Sequence, residues 1–337
     1  MNKRERFEAF LANKPVDRVP VALFHHFCEP DEWFKGLTCE EIFEKNIEGH
    51  RKAREVFDPD VVKIMNDSLM IMPIDVSRVK CASDLRNITA PAKDSAWMQK
   101  SKELTIRSME IYKGTDAPIY VTSFSPTVIL RTSLSGVDLG MAVERSLLHQ
   151  FVEEDSDAVI ASLATIADSV NTLNEILINE CGADGIYFSV NNQGHYVPDD
   201  LYVKCCAPSD IKCLAYANSL SSINALHICG YHGMGNNLEL FKNYDAAAIN
   251  WAVHAEGVSL GEGKKLFAGK PVFGGFEQAT VIYEGTRQDV EKETYQILDE
   301  AGQIGVMMGA DCTVPNDIDE KRLGWVVEAC EKYARAH

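Results

Sequence analysis

The sequence has 337 residues, of which 46% are hydrophobic and 25% are charged, proportions that are typical of a globular protein. Its formal net charge of −17 argues against nucleic acid or an anionic membrane surface as a partner, because both require a basic surface. No apolar run reaches the length of a transmembrane helix, and the first residues do not resemble a signal peptide, so we expect a cytoplasmic protein.

Short apolar runs alternate with helical patterns along the whole chain. A first helix is predicted at residues 3–13, before any strand. The apolar runs are short, as expected for strands that are covered on both faces. The predicted strands are 18–24, 61–65, 119–124, 185–190, 225–229, 246–251, 272–276 and 305–310.

Helical patterns occupy the intervals between these strands. Thr38 and Glu41 have the spacing of a capping box at the start of one helix, and Gly302 stands where another would end. Eight strands interleaved with helices predict an α/β fold of the (β/α)8 or TIM barrel type, with residues 1–337 as a single domain. The first helix would close the barrel floor. A doubly wound open sheet is the alternative.

Polar side chains follow most of the predicted strands. In a (β/α)8 barrel the chemistry takes place at the carboxyl ends of the strands, so these side chains are candidates for a functional site. A purely structural barrel would not need such a polar mouth. The candidates include His25 and His26 after the first strand, Asp67 after the second, Asn192 after the fourth, Glu277 after the seventh and Cys312 after the eighth.

The fifth predicted strand lies in the segment NALHICG, residues 224–230. His227 and Cys229 are two residues apart, so their side chains would point to the same face of a strand. The loop that carries Cys312 can meet them over the mouth of the barrel. One imidazole and two thiols are donors that zinc accepts, with a fourth position left open. The spacing alone leaves the alternative of a hydrogen-bonded core histidine and two packed cysteines.

Five segments resemble the uroporphyrinogen decarboxylase superfamily in their order and spacing, and together they span almost the whole chain. They are KRERFEAFLANKPVDRVPVALF, FDPDVVKIMNDSL, LHICG, PVFGGFEQATVIYEGTRQDVEKE and GVMMGADCTVPNDID. The resemblance implies a (β/α)8 barrel, and Asp67 matches the aspartate that holds pyrrole nitrogens in the decarboxylases. Those enzymes also carry an arginine-containing segment of the type MRQAGR after strand 1. Here that place reads FHHFCEPDEW, without the arginines that would grip a tetrapyrrole.

The sequence is more similar to a second branch of the superfamily, the zinc-dependent methyltransferases that work with corrinoid proteins. Methylcobamide:coenzyme M methyltransferases and the methyltransferases of O-demethylation systems are examples. Their zinc signature is His-x-Cys on strand 5 and a further Cys after strand 8, and it matches His227, Cys229 and Cys312. The resemblance implies a Zn2+ site on these residues and methyl transfer between a corrinoid and a small substrate. That substrate is either a thiol acceptor or a methoxylated or otherwise methylated donor.

The chain lacks the DxHxxG segment of corrinoid-binding domains. A methylcobamide would therefore be supplied by a separate partner protein, and the resemblance is also compatible with a homodimer. We assign Asp67 and Glu277 to the catalytic set. Glu277 could be a fourth zinc ligand, a hydrogen-bond partner of a ligand or a base, and the structural alternative is a solvated helix cap.

Substrate-binding side chains are predicted after the first and the fourth strand. At most one of the tandem histidines can face a pocket, and we predict substrate binding for His25. Asn192, His195 and Tyr196 follow the fourth strand, where they would hydrogen bond the substrate. The alternative for these three is a loop that satisfies its own backbone.

Two other functions fit the sequence less well. A metal-free decarboxylase of a tetrapyrrole would need a large cleft lined by arginines. A non-catalytic module that binds a corrinoid or a metal would need no substrate pocket beside its metal site.

Overall fold

In the part of the chain that the structure describes, seven parallel strands form one sheet, and their order in the sheet follows their order in the chain. The structure, a computed structural model, describes residues 1–135 and 146–337. All seven strands are buried along their length apart from the last residue of β2, as predicted for strands that are covered on both faces. The strands are β1 Val62–Ile64, β2 Ile119–Phe124, β3 Gly185–Val190, β4 Ala225–Ile228, β5 Ala248–Trp251, β6 Val272–Phe276 and β7 Val306–Ala310.

The extended segment 18–24 occupies the eighth position, between β7 and β1. The Ala22 N–H donates to the Met308 carbonyl on one side at 2.8 Å, and the Asp60 N–H donates to the Val21 carbonyl on the other at 3.1 Å. The segment therefore joins both edges of the sheet, which excludes the open-sheet alternative. The predicted (β/α)8 barrel is confirmed.

The first predicted strand is nevertheless not a regular one, and this corrects the prediction of eight regular strands. Pro20 lies in its middle and has no N–H to donate to a ladder, although its carbonyl accepts a hydrogen bond from Met308 at 2.8 Å. Only isolated bridges form, from Val21 to Met308 and from His25 to Val314.

Helices surround the strands in the described residues. Two π-helical turns extend them, Ile176–Glu180 after α6 and Tyr202–Cys206 before α8. The helices are α1 Lys3–Leu11, α2 Glu40–Val56, α3 Ala96–Ile111, α4 Pro126–Ser135, α5 Leu147–Glu154, α6 Ser156–Glu175, α7 Asp199–Leu201, α8 Ala207–Leu220, α9 Val253–Glu256, α10 Leu260–Leu266, α11 Val281–Glu284, α12 Arg287–Ala301 and α13 Lys321–Ala336. Short 3-10 turns lie at Lys35–Leu37, Asp67–Leu69, Ala82–Asn87, Gln193–His195, Tyr231–Gly233 and Leu238–Phe241.

Helix α1 closes the floor of the barrel, as the sequence predicts. Phe7 and Phe10 are fully buried and pack on residues that point into the barrel, among them Tyr120, whose ring centroid lies 6.0 Å from that of Phe7. Among the residues that the structure describes, no helix combines the length and the apolar character that a membrane span requires.

The helix ends agree only in part with the predicted caps. Gly302 does terminate α12, at a φ of 75° that favours glycine. The predicted capping box at Thr38 is wrong, because α2 has Cys39 as its N-cap and the Thr38 hydroxyl donates backwards to the Lys35 carbonyl.

Candidate metal centre

Three metal-ligating side chains converge at the mouth of the barrel. The Sγ atoms of Cys229 and Cys312 are 4.0 Å apart, and Cys312 Sγ is 3.9 Å from His227 Nε2. All three ligand atoms lie within 4.8 Å of one another. Tetrahedral zinc with Zn–S bonds of about 2.3 Å and Zn–N bonds of about 2.0 Å separates its ligand atoms by roughly 3.5–3.8 Å. The three residues therefore fit a zinc ion with a fourth position open.

The strand ends bring these side chains together. His227 lies in β4, and Cys229 follows directly after it, held by a hydrogen bond from its N–H to the Val190 carbonyl at 2.9 Å. Cys312 follows β7 by two residues. The structure thus places His227 and Cys229 of the HxC segment beside Cys312, and their role as metal ligands stays a prediction.

Asn250 determines which ring nitrogen of His227 faces the thiols. The Asn250 Nδ2 group donates to the carbonyls of Phe273 at 2.8 Å and Ala310 at 3.2 Å. Its Oδ1 must therefore accept, and it does so from His227 Nδ1 at 2.5 Å and from the Tyr187 hydroxyl at 2.9 Å. The Nδ1–H tautomer leaves the lone pair of Nε2 directed to the two cysteines, as a metal ligand requires.

The thiols of Cys229 and Cys312 differ in acidity. The hydrogen bond with Cys312 lowers the pKa of Cys229, against the opposing effect of burial. The same hydrogen bond and burial raise the pKa of Cys312. Without a metal, Cys229 thus ionises first, with Cys312 as its hydrogen-bond donor. A cation that bound both thiolates would displace this proton.

A cavity of about 780 Å3, including its opening to solvent, lies directly beside the three ligands. Its wall is mostly apolar, as is common for small-molecule sites. Apolar lining residues include Trp33, Met70, Ile71, Phe124 and Val128. His227, Cys229 and Cys312 themselves belong to the wall, so a molecule in the cavity would reach the metal position.

Two buried cations also line this cavity. Lys63 on β1 is 7% exposed, and its Nζ lies over the rings of Tyr187 at 4.5 Å and Phe24 at 4.8 Å. Burial lowers the pKa of Lys63 to about 8, partly offset by Cys312 and Asp67. Arg131 on α4 is 5% exposed.

Similarity to known proteins agrees with this fold. The family model described as uroporphyrinogen decarboxylase (URO-D) matches residues 99–333, well over half of the chain. The chain belongs to the URO-D family. No curated protein matches it.

Two solved structures resemble this URO-D family protein along nearly its whole length. A methyltransferase from Methanosarcina mazei has a TM-score of 0.74 at 16% identity, and the match covers 99% of each chain. A B12-independent methionine synthase from Shewanella sp. W3-18-1 has a TM-score of 0.57 at 15% identity, with 95% of this chain and 98% of that chain covered. At such identities the likeness concerns the fold.

Asp67 lines the cavity of the URO-D family protein, as predicted, but its carboxylate already accepts three hydrogen bonds from neighbouring residues. Oδ1 accepts from His26 Nδ1 at 2.9 Å, and Oδ2 accepts from the N–H groups of Phe27 at 2.6 Å and Cys28 at 3.2 Å. Burial opposes ionisation, yet His26 and the two N–H groups hold the pKa of Asp67 below its usual range. Asp67 thus anchors the segment that follows the eighth barrel position.

His25 and Glu277 lie outside the cavity wall. His25 Nε2 is 2.9 Å from Glu320 Oε1, and its neighbour His26 is the member of the pair that lines the cavity. Glu277 Oε2 accepts from the Ala279 N–H at 2.9 Å and is not part of the ligand cluster. The structure therefore does not bring Glu277 to the three candidate ligands. Its contact with Ala279 is a local hydrogen bond to the backbone, because the helix that follows has Thr280 as its N-cap and no side-chain cap.

The loop after β3 presents other residues to the cavity than the predicted ones. Asn192 bonds within the loop to Val197, His195 is exposed beside Asp199, and the Tyr196 hydroxyl donates to the Asn191 carbonyl at 2.5 Å. These contacts match the alternative of a loop that satisfies its own backbone. The residues of this loop that do line the cavity are Asn191 and Gln193.

Three residues of the site escaped the sequence analysis, namely Lys63, Arg131 and Asn250. Each is a polar residue within an otherwise apolar run, in VVKIM, VILRT and AAAINW. Such an interruption of a buried strand or helix was a signal that could have identified them, because a buried polar group needs a partner.

Proposed function

We propose that this protein is a zinc-dependent methyltransferase that moves a methyl group between a corrinoid on a partner protein and a small substrate. The convergence of His227, Cys229 and Cys312 beside a mostly apolar cavity carries this proposal. Bound zinc would supply a Lewis acid with an open position, where a substrate heteroatom is deprotonated or made a better leaving group.

The residues around the ligands prepare the site for this chemistry. Asn250 holds His227 as a neutral donor with Nε2 free. Cys229 is the thiol with the lowered pKa, so it provides the first thiolate. Trp33 and Phe124 are apolar parts of the wall and would limit the access of water to a bound substrate.

The fold likeness supports a methyl transfer, since both solved structures described above are named for it, one as a methyltransferase and one as a methionine synthase. The assignment of a corrinoid as the methyl carrier rests on the resemblance of His227, Cys229 and Cys312 to the zinc signature of the corrinoid-linked branch. These 337 residues contain no DxHxxG segment, so we place the corrinoid on a partner protein.

The two other functions have less support. A tetrapyrrole decarboxylase would need the Asp67 carboxylate for pyrrole nitrogens, but His26, Phe27 and Cys28 already occupy it. A non-catalytic module would need no cavity beside the metal ligands, and one is present.

Metal analysis of Cys229→Ala and Cys312→Ala variants tests the zinc site. We expect about one zinc per chain in the unaltered protein and a loss of at least about tenfold in affinity in each variant, because a thiolate ligand is removed. The matched control is Cys206→Ala, since Cys206 is a fully buried thiol outside the cluster and should leave the zinc content unchanged. Protein that is purified without chelator and neither contains nor takes up zinc would contradict the proposal.

Free methylcobalamin tests the methyl transfer itself. The zinc-loaded protein should accelerate the loss of its methyl group to a thiol, or the methylation of cob(I)alamin by a methylated donor, followed by visible absorbance. Failure of both reactions across a panel of thiols and methylated donors, with zinc bound, would overturn the methyltransferase assignment.

A further inference from the structure

Lys63 carries a primary amine into the wall of the cavity. It lies in the middle of β1, two residues after Val61, whose side chain packs in the inner core at the floor of the barrel. Residues i and i+2 of a strand share a face, so the Lys63 side chain also points inward, and it lines the cavity beyond that core. Lys63 is only 7% exposed. A small molecule would therefore reach its amine through the cavity and not from the outer surface.

The amine has no carboxylate partner among the described residues. Its Nζ lies over the ring faces of Tyr187 at 4.5 Å and Phe24 at 4.8 Å. Asp67 lines the same cavity, but its carboxylate accepts its hydrogen bonds from other residues. Burial disfavours the ammonium ion and lowers the pKa of Lys63 to about 8. At neutral pH the amine is thus uncharged, and so nucleophilic, more often than that of an exposed lysine.

The other buried cations near the barrel floor are treated differently by the fold. Arg6 and Arg18 both contact the buried carboxylate of Asp60, which balances their charge. A buried lysine with a purely structural role is expected to have such a partner, because lysine is almost never fully buried unless it is paired. Lys63 instead lies beside an open volume, and the proposed metal centre gives its amine no role.

We propose that Lys63 is a second reactive group of the cavity, whose amine condenses with small apolar aldehydes to form an imine. The Nζ lone pair adds to the carbonyl carbon, and the carbonyl oxygen then leaves as water with both hydrogens of the uncharged amine. A C=N bond replaces the C=O bond, and nothing is oxidised or reduced. The protonated imine keeps its positive charge over the rings of Tyr187 and Phe24.

The cavity wall sets the class of aldehyde. Trp33, Phe124 and Val128 are among the apolar lining residues, and they would contact a short alkyl chain or an aromatic ring. A polyhydroxylated aldehyde would lose its hydration on this wall without regaining hydrogen bonds. The same wall limits the water that would hydrolyse the imine. Because the condensation requires no metal, the inference does not depend on the proposed function.

Reductive trapping with sodium cyanoborohydride tests the inference on the unaltered protein. Cyanoborohydride reduces an imine to a stable secondary amine, and peptide mass spectrometry then gives the rate of labelling at each lysine. With propionaldehyde or benzaldehyde at pH 7, we expect Lys63 to be labelled at least about tenfold faster than Lys212, an exposed lysine on α8, because more of its amine is uncharged. An aldehyde-terminated poly(ethylene glycol) that is too large for the cavity should label Lys212 and spare Lys63.

Lys63→Arg is the matched variant, since it keeps a cation over the two rings and cannot form an imine. It should lose the fast labelling and leave the slower labelling of Lys212 unchanged. Circular dichroism and the Tm report on its folding. If the variant unfolds, the site-resolved rates in the unaltered protein still decide.

Two results would overturn the inference. One is labelling of Lys63 by both small aldehydes that is no faster than that of Lys212. The other is equally fast labelling of Lys63 by the large aldehyde, which would place the amine outside the cavity. Fast labelling of Lys63 in protein that binds no zinc would uphold the inference even if the metal centre failed.

Discussion

Asn250 lies on β5, and its Oδ1 is 2.5 Å from Nδ1 of His227 on the neighbouring strand β4. The register of the two strands sets these residues side by side, and two backbone carbonyls fix the amide orientation. Asn250 thereby selects the tautomer of His227, although Asn250 is not itself one of the candidate metal ligands. Partners of this kind usually tune metal affinity by one to two orders of magnitude, about tenfold to a hundredfold.

We expect Asn250→Leu to weaken zinc binding by about tenfold to a hundredfold, because the His227 ring loses its orienting acceptor. Competition with a chromogenic chelator measures the affinity. Tyr187→Phe is the matched control, since it removes a hydroxyl bonded to Asn250 but keeps the contact with His227, and it should cause a much smaller loss. Unchanged zinc affinity in Asn250→Leu would contradict the role given to Asn250.

The sequence was sufficient to predict that His227 and Cys229 point to the same place, because period-two alternation in a strand fixes where their side chains point. Their role as zinc ligands together with Cys312 comes from the family resemblance and stays a prediction. His26 was misjudged in favour of His25, since the preceding segment is irregular and its alternation could not be counted from a strand end. Lys63 and Arg131 interrupt apolar runs, which marks them as buried polar residues, but their direction into the cavity depends on strand tilt and helix packing, which no local pattern contains.

At the scale of secondary-structure elements, a buried carboxylate connects α4 and α8. Asp210 on α8 is fully buried and accepts hydrogen bonds from the Thr127 N–H at 3.1 Å, the Thr127 hydroxyl at 2.9 Å and the Tyr202 hydroxyl at 3.2 Å. Burial raises the pKa of Asp210 to about 6, against the opposing effect of these donors. In an unfolded chain the pKa of an aspartate is about 3.9.

Asp210→Asn should therefore alter the pH dependence of stability. Between about pH 4 and pH 6 the folded chain binds more protons at Asp210 than the unfolded chain does, so this contribution to stability falls as the pH rises. At pH 8 the variant should be more stable than the unaltered protein by up to about 3 kcal/mol, because the folded and unfolded pKa values differ by about 2 at about 1.4 kcal/mol each, and near pH 4 the difference should become small. Urea unfolding of both proteins at pH 4 and pH 8 measures the difference in their free energies of unfolding.

Asp168→Asn, at an exposed position of α6, serves as the control for the Asp210 prediction and should show no such dependence. Equal stability of Asp210→Asn and the unaltered protein at pH 8 would contradict the assignment of a buried, destabilising charge to Asp210.

The elements themselves were largely predictable. Seven of the eight predicted strands are present because each is a short apolar run, and apolar runs suit strands with two buried faces. The remaining predicted strand, 18–24, is not a regular strand because Pro20 has no N–H to donate to a continuous ladder. The start of α2 was placed at Thr38 from spacing alone, but the backbone turns one residue later, and a capping box depends on that turn.

At the scale of the whole molecule, Asp60 holds the barrel closed at its floor. Its fully buried carboxylate contacts Arg6 of α1 at 2.6 Å, Arg18 at 2.5 Å and the Val21 N–H at 2.8 Å. Asp60 thereby links α1, the irregular segment 18–24 and the start of β1. The (β/α)8 closure depends on this cluster, because segment 18–24 has few ladder hydrogen bonds of its own.

Asp60→Ala should lower the free energy of unfolding by about 3–5 kcal/mol, because it removes the fully buried anion that two largely buried arginines share, although Arg6 keeps its pairing with Asp17. Chemical denaturation measures this value. Asp58→Ala is the control two residues away: its exposed carboxylate pairs with Lys3 and Arg54, and its loss should cost less than about 1 kcal/mol. Similar losses in the two variants would contradict the closure role of Asp60.

Zinc K-edge X-ray absorption on the purified protein tests the proposed metal centre directly. We expect two sulfur ligands at about 2.3 Å and one imidazole nitrogen at about 2.0 Å. In Cys312→Ala, whatever zinc remains should show a single sulfur ligand. A protein without zinc, or one whose zinc has only nitrogen and oxygen ligands, would contradict a metal centre built on His227, Cys229 and Cys312.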